Sequence, residues 1–71
     1  MRIRDDTRTV YVDEAGSGIT YVGKAAHGSA TSAAVWFIIK IDESSNPTII
    51  KYADYGKYTQ VWDDRAGLTY Y

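Results

Sequence analysis

The residues best equipped for chemistry are His27 with the hydroxyls of Ser29, Thr31 and Ser32 around it, the acidic pair Asp63-Asp64 beside Arg65, a second pair Asp5-Asp6, and the glycines at 16, 18 and 23. An imidazole beside a hydroxyl can act as a general base toward a nucleophile. Such a dyad also needs an orienting group and an oxyanion site, which nearness in sequence does not supply. Neither is legible around His27, so a surface or interface histidine is expected. Asp63 and Asp64 offer the oxygen ligands that calcium and magnesium take. Adjacent side chains in a strand point apart, however, and no further acid flanks the pair. The favoured reading is a turn in which an aspartate accepts backbone N–H bonds and Arg65 pairs with one of the two carboxylates, with a cation as the alternative. Asp5-Asp6 sits in an N-terminal segment expected to be mobile. Gly16-Ser17-Gly18 and Gly23 match a phosphate loop in composition only, because the dinucleotide and P-loop fingerprints both run from a strand directly into a helix. No catalytic residue, cofactor or metal site is therefore expected.

The tyrosines carry the remaining signal. Tyr11, Tyr21, Tyr52, Tyr55, Tyr58, Tyr70 and Tyr71 could stack on sugar rings or bases, or act as rigid amphipathic anchors at a protein interface. Cross-strand packing accounts for a share of them. For the rest an interface is favoured over a sugar site, and base stacking ranks lower because no basic stripe accompanies it.

The elements that hold these residues must come from a short chain. Its 71 residues allow one domain, 1–71, with 1–7 as the mobile segment. A domain of this size buries only about 60% of its unfolded surface and usually needs a staple or a partner. There is no cysteine and only one histidine, which removes disulfides and makes a zinc site within one chain untenable. Oligomerisation is the route left. A net charge of −1 gives no pull toward nucleic acid or an anionic membrane. The longest apolar run, residues 33–39, falls far short of the roughly 20 residues that span a bilayer. The N-terminus lacks the apolar stretch of a secretory signal, so synthesis in a cytoplasm without export is expected.

Composition favours strands: aromatics are 14% of the chain, and Val, Ile and Thr accompany them. Thr9-Val10-Tyr11-Val12-Asp13 alternates as a half-buried strand. Glu14-Ala15-Gly16-Ser17-Gly18 reads as a hairpin turn, and a second strand runs from Ile19 to about Gly23. Residues 25–34 are small and read as a loop long enough to serve a contact. Residues 35–41 are apolar on both faces apart from Lys40, as in a strand buried on both sides. Another sheet or another subunit is expected on its second face. Residues 42–47 form a connection, and 48–53 a fourth strand. Tyr58, Val61 and Trp62 suit a single helical turn, and residues 68–71 suit a short closing strand. The architecture expected is all-β: a small antiparallel sheet of about five strands, partly rolled or sandwich-like, with at most one short helical turn near 58–63.

The segments Thr20-Tyr21-Val22-Gly23-Lys24-Ala25-Ala26, Gly28-Ser29-Ala30-Thr31-Ser32-Ala33-Ala34-Val35-Trp36 and Val61-Trp62-Asp63-Asp64-Arg65-Ala66-Gly67-Leu68-Thr69-Tyr70 resemble a group of very short proteins encoded by tailed bacteriophages. The resemblance covers about residues 19–71. Its landmarks are the small-residue loop before Trp36 and the Val-Trp-Asp-x-Arg-x-x-Leu ending, and this chain departs from it by its extra tyrosines at 52–58. It implies a virion-associated or tail-region protein with a non-enzymatic structural or accessory role, self-associating or docking to another virion protein. A glycan- or receptor-binding β module at a tail or fibre tip, meeting a host-surface glycan, is the alternative. Interface candidates are Ala30, Thr31, Trp36, Tyr55, Tyr58, Trp62, Tyr70 and Tyr71, of which Trp36 and Trp62 are also expected to anchor packing.

Overall fold

A computed structural model describes residues 8–71; the 1–7 segment, with Asp5-Asp6, lies outside the described residues. The described residues form one open antiparallel sheet of five strands: β1 Arg8–Gly16, β2 Ile19–Ala26, β3 Ala34–Asp42, β4 Ile49–Tyr52 and β5 Gln60–Val61. The first four lie in sequence order, and β5 also pairs with β3. One edge of β3 serves β2. Its other edge is shared, with residues 39–42 bonded to β4 and Ala34 and Trp36 opposite β5.

The β1–β2 hairpin closes through Ser17-Gly18, with φ of 55° and 79°. Positive φ at both central residues is the two-residue turn whose twist matches the flanking strands. Gly18 also lies against the backbone of the following connection: Glu43 N–H donates to its carbonyl at 2.7 Å, and a Cβ on Gly18 would sit 2.8 Å from Ser44 backbone atoms. In that connection the Ser44 hydroxyl and backbone N–H both donate to Asp42, the side-chain bond being the main reason that the Asp42 carboxyl is held below its ordinary pKa.

Three features differ from the sequence reading. β2 runs three residues past Gly23, because Ala25 and Ala26 pair with Thr9 and Arg8. The fifth strand is Gln60–Val61, not residues 68–71; the latter segment contributes only an Ala53–Tyr70 bridge and reciprocal backbone bonds between Tyr71 and Tyr52, 3.0 Å each. The helical turn begins where it was expected to end, as a 3-10 helix at Trp62–Gly67, and a second short turn lies at Asp54–Gly56. Tyr58, Val61 and Trp62 therefore do not share a helical turn, because β5 intervenes and pairs with β3.

The core occupies one face of the sheet. Tyr21 and Ala25 of β2, Trp36 and Ile38 of β3, Ala53 and Trp62 are buried. Ile19, Leu68 and Tyr70 pack around them. At its centre the Trp62 ring lies on the backbone of Gly23, where a Cβ would come within 2.4 Å of the indole. Tyr11 and Trp36 both pack on Trp62 with ring centroids 5.8 Å away, and on each other at 5.1 Å. Above it, the Arg65 guanidinium sits 4.5 Å from the ring centroid, donates to Asp13 Oδ2 at 2.9 Å and to the Trp62 carbonyl at 3.1 Å. The Tyr70 hydroxyl donates to the Arg65 carbonyl at 2.7 Å.

Two outcomes follow from this packing. Gly23→Ala would drive a methyl into Trp62 and should cost about 2 kcal/mol or more in urea unfolding, whereas Gly67→Ala, with open space at its Cβ, should change stability by less than about 0.5 kcal/mol. The Tyr70 hydroxyl has its pKa raised, first by burial and then by neighbouring Tyr21, so the folded state favours the neutral phenol. A folded-state pKa above the unfolded value means that this stability is fully present below about pH 10 and is lost as pH rises beyond it. Thermal melts across alkaline pH should show that decline, and Tyr70→Phe should flatten it while costing about 1 kcal/mol at neutral pH for the lost bond to Arg65.

Candidate functional site

Pleating sends alternate side chains to opposite faces, so the strands that build the core must present their other residues elsewhere. Across the second face, cross-strand partners align into rows. Val12, Val22, Ile39 and Tyr52 are mutual neighbours through β1, β2, β3 and β4. Tyr71, bonded reciprocally to Tyr52, extends this row on the same side. On one flank lie Val10, Lys24 and Phe37, and on the other Glu14, Thr20, Ile41 and Ile50. Val12 is 62% exposed and Ile50 54% exposed, while Val22, Ile39 and Ile41 are half-buried.

The expected double-sided strand is thus observed, and part of its cover comes from the same chain. Residues 54–58 fold over the Phe37 end of this face. Gly56 approaches so closely that a Cβ there would lie 3.2 Å from the Phe37 ring. Tyr58 and Tyr52 pack on Phe37 at centroid distances of 5.2 and 5.8 Å. Lys24 lies 5.1 Å from the Phe37 ring centroid, and Arg8 5.0 Å from that of Tyr58. The chain then rounds the edge of β3 through β5 and enters the core face at Trp62. Among the described residues, the rest of the second face, from Val12 to Ile50, has no such cover.

Asp54, Tyr55 and Gly56 all have positive φ, at 48°, 57° and 85°. For a bulky residue such as tyrosine this region is strained. The result is an outward Tyr55 ring, 71% exposed, stacked on Tyr71 at 4.1 Å and 13°. Tyr71 also lines an open depression of about 340 Å³ with Asp54, Gln60, Thr69, Leu68 and Gly67.

The eight interface candidates divide. Tyr55, Tyr58 and Tyr71 are exposed; Tyr55 and Tyr71 stack on each other, and Tyr58 packs on Phe37. Tyr70 is on the core side, its ring 5.9 Å from Tyr21. Trp36 is fully buried and Trp62 nearly so, and they therefore act as packing anchors with no ring surface left for a partner. Ala30 is exposed and Thr31 half-buried, and both bond within the chain: the Ala30 carbonyl accepts from the Trp36 indole N–H at 3.0 Å, Thr31 donates to Asp63 Oδ2 at 3.2 Å, and Asp63 N–H donates to the Thr31 carbonyl at 3.1 Å. The small-residue loop before Trp36 is a lid on the core, held by those bonds. Missed in the sequence were Val12, Val22, Ile39 and Ile50. Their alternation was visible, but it could not say which side would hold the core.

Of the chemical candidates, Thr31 bonds to Asp63, and His27 and Ser29 each bond to other groups. His27 Nδ1 meets the Thr9 hydroxyl at 3.5 Å, while the Ser29 hydroxyl donates to the Ala26 carbonyl at 2.7 Å. Arg65 pairs with Asp13 across the sheet and not with Asp63 or Asp64, because stacking on Trp62 aims its guanidinium toward β1. Asp63 and Asp64 line a shallow surface depression with Ala66, Gly67 and Leu68. Among the described residues no group of three His, Cys, Asp or Glu comes together to hold a metal ion. Comparison with protein-family models, curated proteins and solved structures gives no match.

If the monomer's fold rests on the core face alone, the two faces should respond differently to mutation. Ile38→Ala should cost about 2–5 kcal/mol, and Val12→Thr less than about 0.5 kcal/mol, in urea unfolding at low protein concentration.

Proposed function

We propose that the protein is a non-enzymatic structural or accessory component of a tailed-bacteriophage particle that works by docking the open face of its sheet onto another β surface. The observation that carries the docking is the row Val12, Val22, Ile39 and Tyr52, flanked by Ile41 and Ile50. An apolar surface that crosses four strands and is rimmed by charge is the kind that marks an interaction site on a small soluble domain. The placement on a phage particle, after synthesis in the host cytoplasm, rests on the resemblance of residues 19–71 to short phage-encoded proteins. The Ser29 and Thr31 hydroxyls donate to the Ala26 carbonyl and to Asp63, which supports the non-enzymatic part of the reading.

The test is incorporation into particles. An epitope-tagged copy expressed in infected cells should remain with density-purified virions. Val12→Asp with Ile50→Asp should leave the chain folded by circular dichroism but absent from the particle. A wild-type copy that stays wholly in the soluble lysate would sink the proposal.

The stacked Tyr55–Tyr71 pair favours one second reading, a glycan-binding site. Flat aromatic surface beside a carboxylate and an amide suits a pyranose, whose axial hydrogens pack on a ring while its hydroxyls meet Asp54 and Gln60. Saturation-transfer NMR with chito-, cello- and malto-oligosaccharides at about 10 mM should then give ring-proton signals that Tyr71→Ala weakens about tenfold. Silence from all three sugars would dismiss this reading.

A further inference from the structure

Resting on that docking reading, we infer that the occupant of the open face is a second copy of this chain, packed face to face about a two-fold axis that runs across the strands along the Val12–Tyr52 row.

Charge selects this arrangement. The face has a basic end and an acidic end: Lys24 and Arg8 lie toward the Phe37 flank, and Glu14 lies on the opposite flank with Thr20, Ile41 and Ile50. A two-fold axis parallel to the strands would lay basic end on basic end. An axis across the strands reverses their direction in the second copy, so that each flank meets the other. Glu14 of each copy then falls over Val10 of the other, between Arg8 and Lys24. Val12, Val22, Ile39 and Tyr52 meet their own counterparts on the axis, the self-complementary pattern of an isologous interface.

Relief selects the same arrangement. Residues 54–58 stand above the sheet at the Phe37 end, where Gly56 and Tyr58 cover that ring. The Ile41–Ile50 end of the same strands has no such cover among the described residues, and Ile50 is largely exposed. Reversal of the strands seats each copy's tyrosine loop on the other's bare isoleucines. The open face of each copy becomes the inner face of a two-sheet sandwich, whose sheets pack about 10 Å apart.

Area sets the strength. Five chain segments spaced about 4.8 Å apart, over about six residues of strand, give a flat patch of about 480 Å² per copy. A pair then buries about 1,000 Å², or somewhat more once side-chain relief is counted, at the lower edge of specific interfaces. The dimer should therefore be real but dilutable, with dissociation in the micromolar range.

Light scattering on a size-exclusion column, across a dilution series, should give twice the 7.9 kDa chain mass at high concentration, falling toward the single mass on dilution. Ile39→Asp, on the axis, should weaken the dimer by about 100-fold or more, with the circular dichroism spectrum retained. Glu14→Lys and Lys24→Glu should each weaken it about tenfold at low salt, and the double charge swap should recover most of the loss. A dimer indifferent to Ile39→Asp uses another surface and overturns the inference. Failure of the charge swap to restore association overturns the axis. A folded monomer at every concentration removes the second copy, and the docking reading then stands or falls on incorporation into particles.

Discussion

The stacking of Trp62 on the bare backbone of Gly23 is the constraint from which the other features follow. An indole can approach a strand this closely only where no Cβ intervenes, and Gly23 is central to β2, with Tyr11 on one side and Trp36 and Ile38 on the other. Once the ring is seated, its backbone is fixed relative to three strands. Arg65, one turn further along, then covers the ring while donating to Asp13 and to the Trp62 carbonyl. Asp63 is held at Thr31, which closes the loop before Trp36, and the Arg65 carbonyl becomes the acceptor for Tyr70. A chain of 71 residues without cysteine thus obtains from one aromatic stack the cross-linking that small domains often take from disulfides.

That stack also decides which face of the sheet is solvated. Trp62 and the lid over Trp36 claim the side bearing Tyr11, Gly23 and Ile38, which leaves Val10, Val12, Val22, Ile39, Ile41 and Ile50 on the other. The usual alternation of apolar inside and polar outside is inverted on β1. Its two valines face outward, and its tyrosine and aspartate face the core, where the aromatic ring and the arginine pair use them better than water would. A single layer with apolar residues on both faces needs more cover than a chain of this length readily supplies. The chain covers one face, and part of the second with residues 54–58. The balance of that second face is what the proposed assembly would cover.

The two ends of the chain's aromatic load therefore serve different purposes. Trp36, Trp62, Tyr11, Tyr21 and Tyr70 surround the core. Tyr52, Tyr55, Tyr58 and Tyr71 gather with Phe37 at one end of the open face. Strain at Asp54 and Tyr55 is spent on holding an exposed ring, which is a use of backbone energy that the core does not require.

Local rules were enough to read β1, β3, the absence of a long helix and a turn within Glu14–Gly18 directly from residue types, although β1 continues to Gly16 and the turn itself is Ser17-Gly18. Alternation and glycine placement act within a few residues, and no tertiary contact opposes them there. The antiparallel class followed from the shortness of the connections. Long-range pairing decided the rest. Gln60–Val61 became a strand because the vacant half of the β3 edge needed partners, although two residues carry no periodicity of their own. Residues 68–71 read as a strand but supply a bridge, because β4 is only four residues long and its last residue already meets Tyr71. The candidate site was half legible: the two-sided strand announced that a second face would need cover, and the tyrosines announced a surface role. Which valines and isoleucines would form that face depended on where Trp62 came to rest, and that position is set by the single missing side chain at Gly23, nearly forty residues earlier in the sequence.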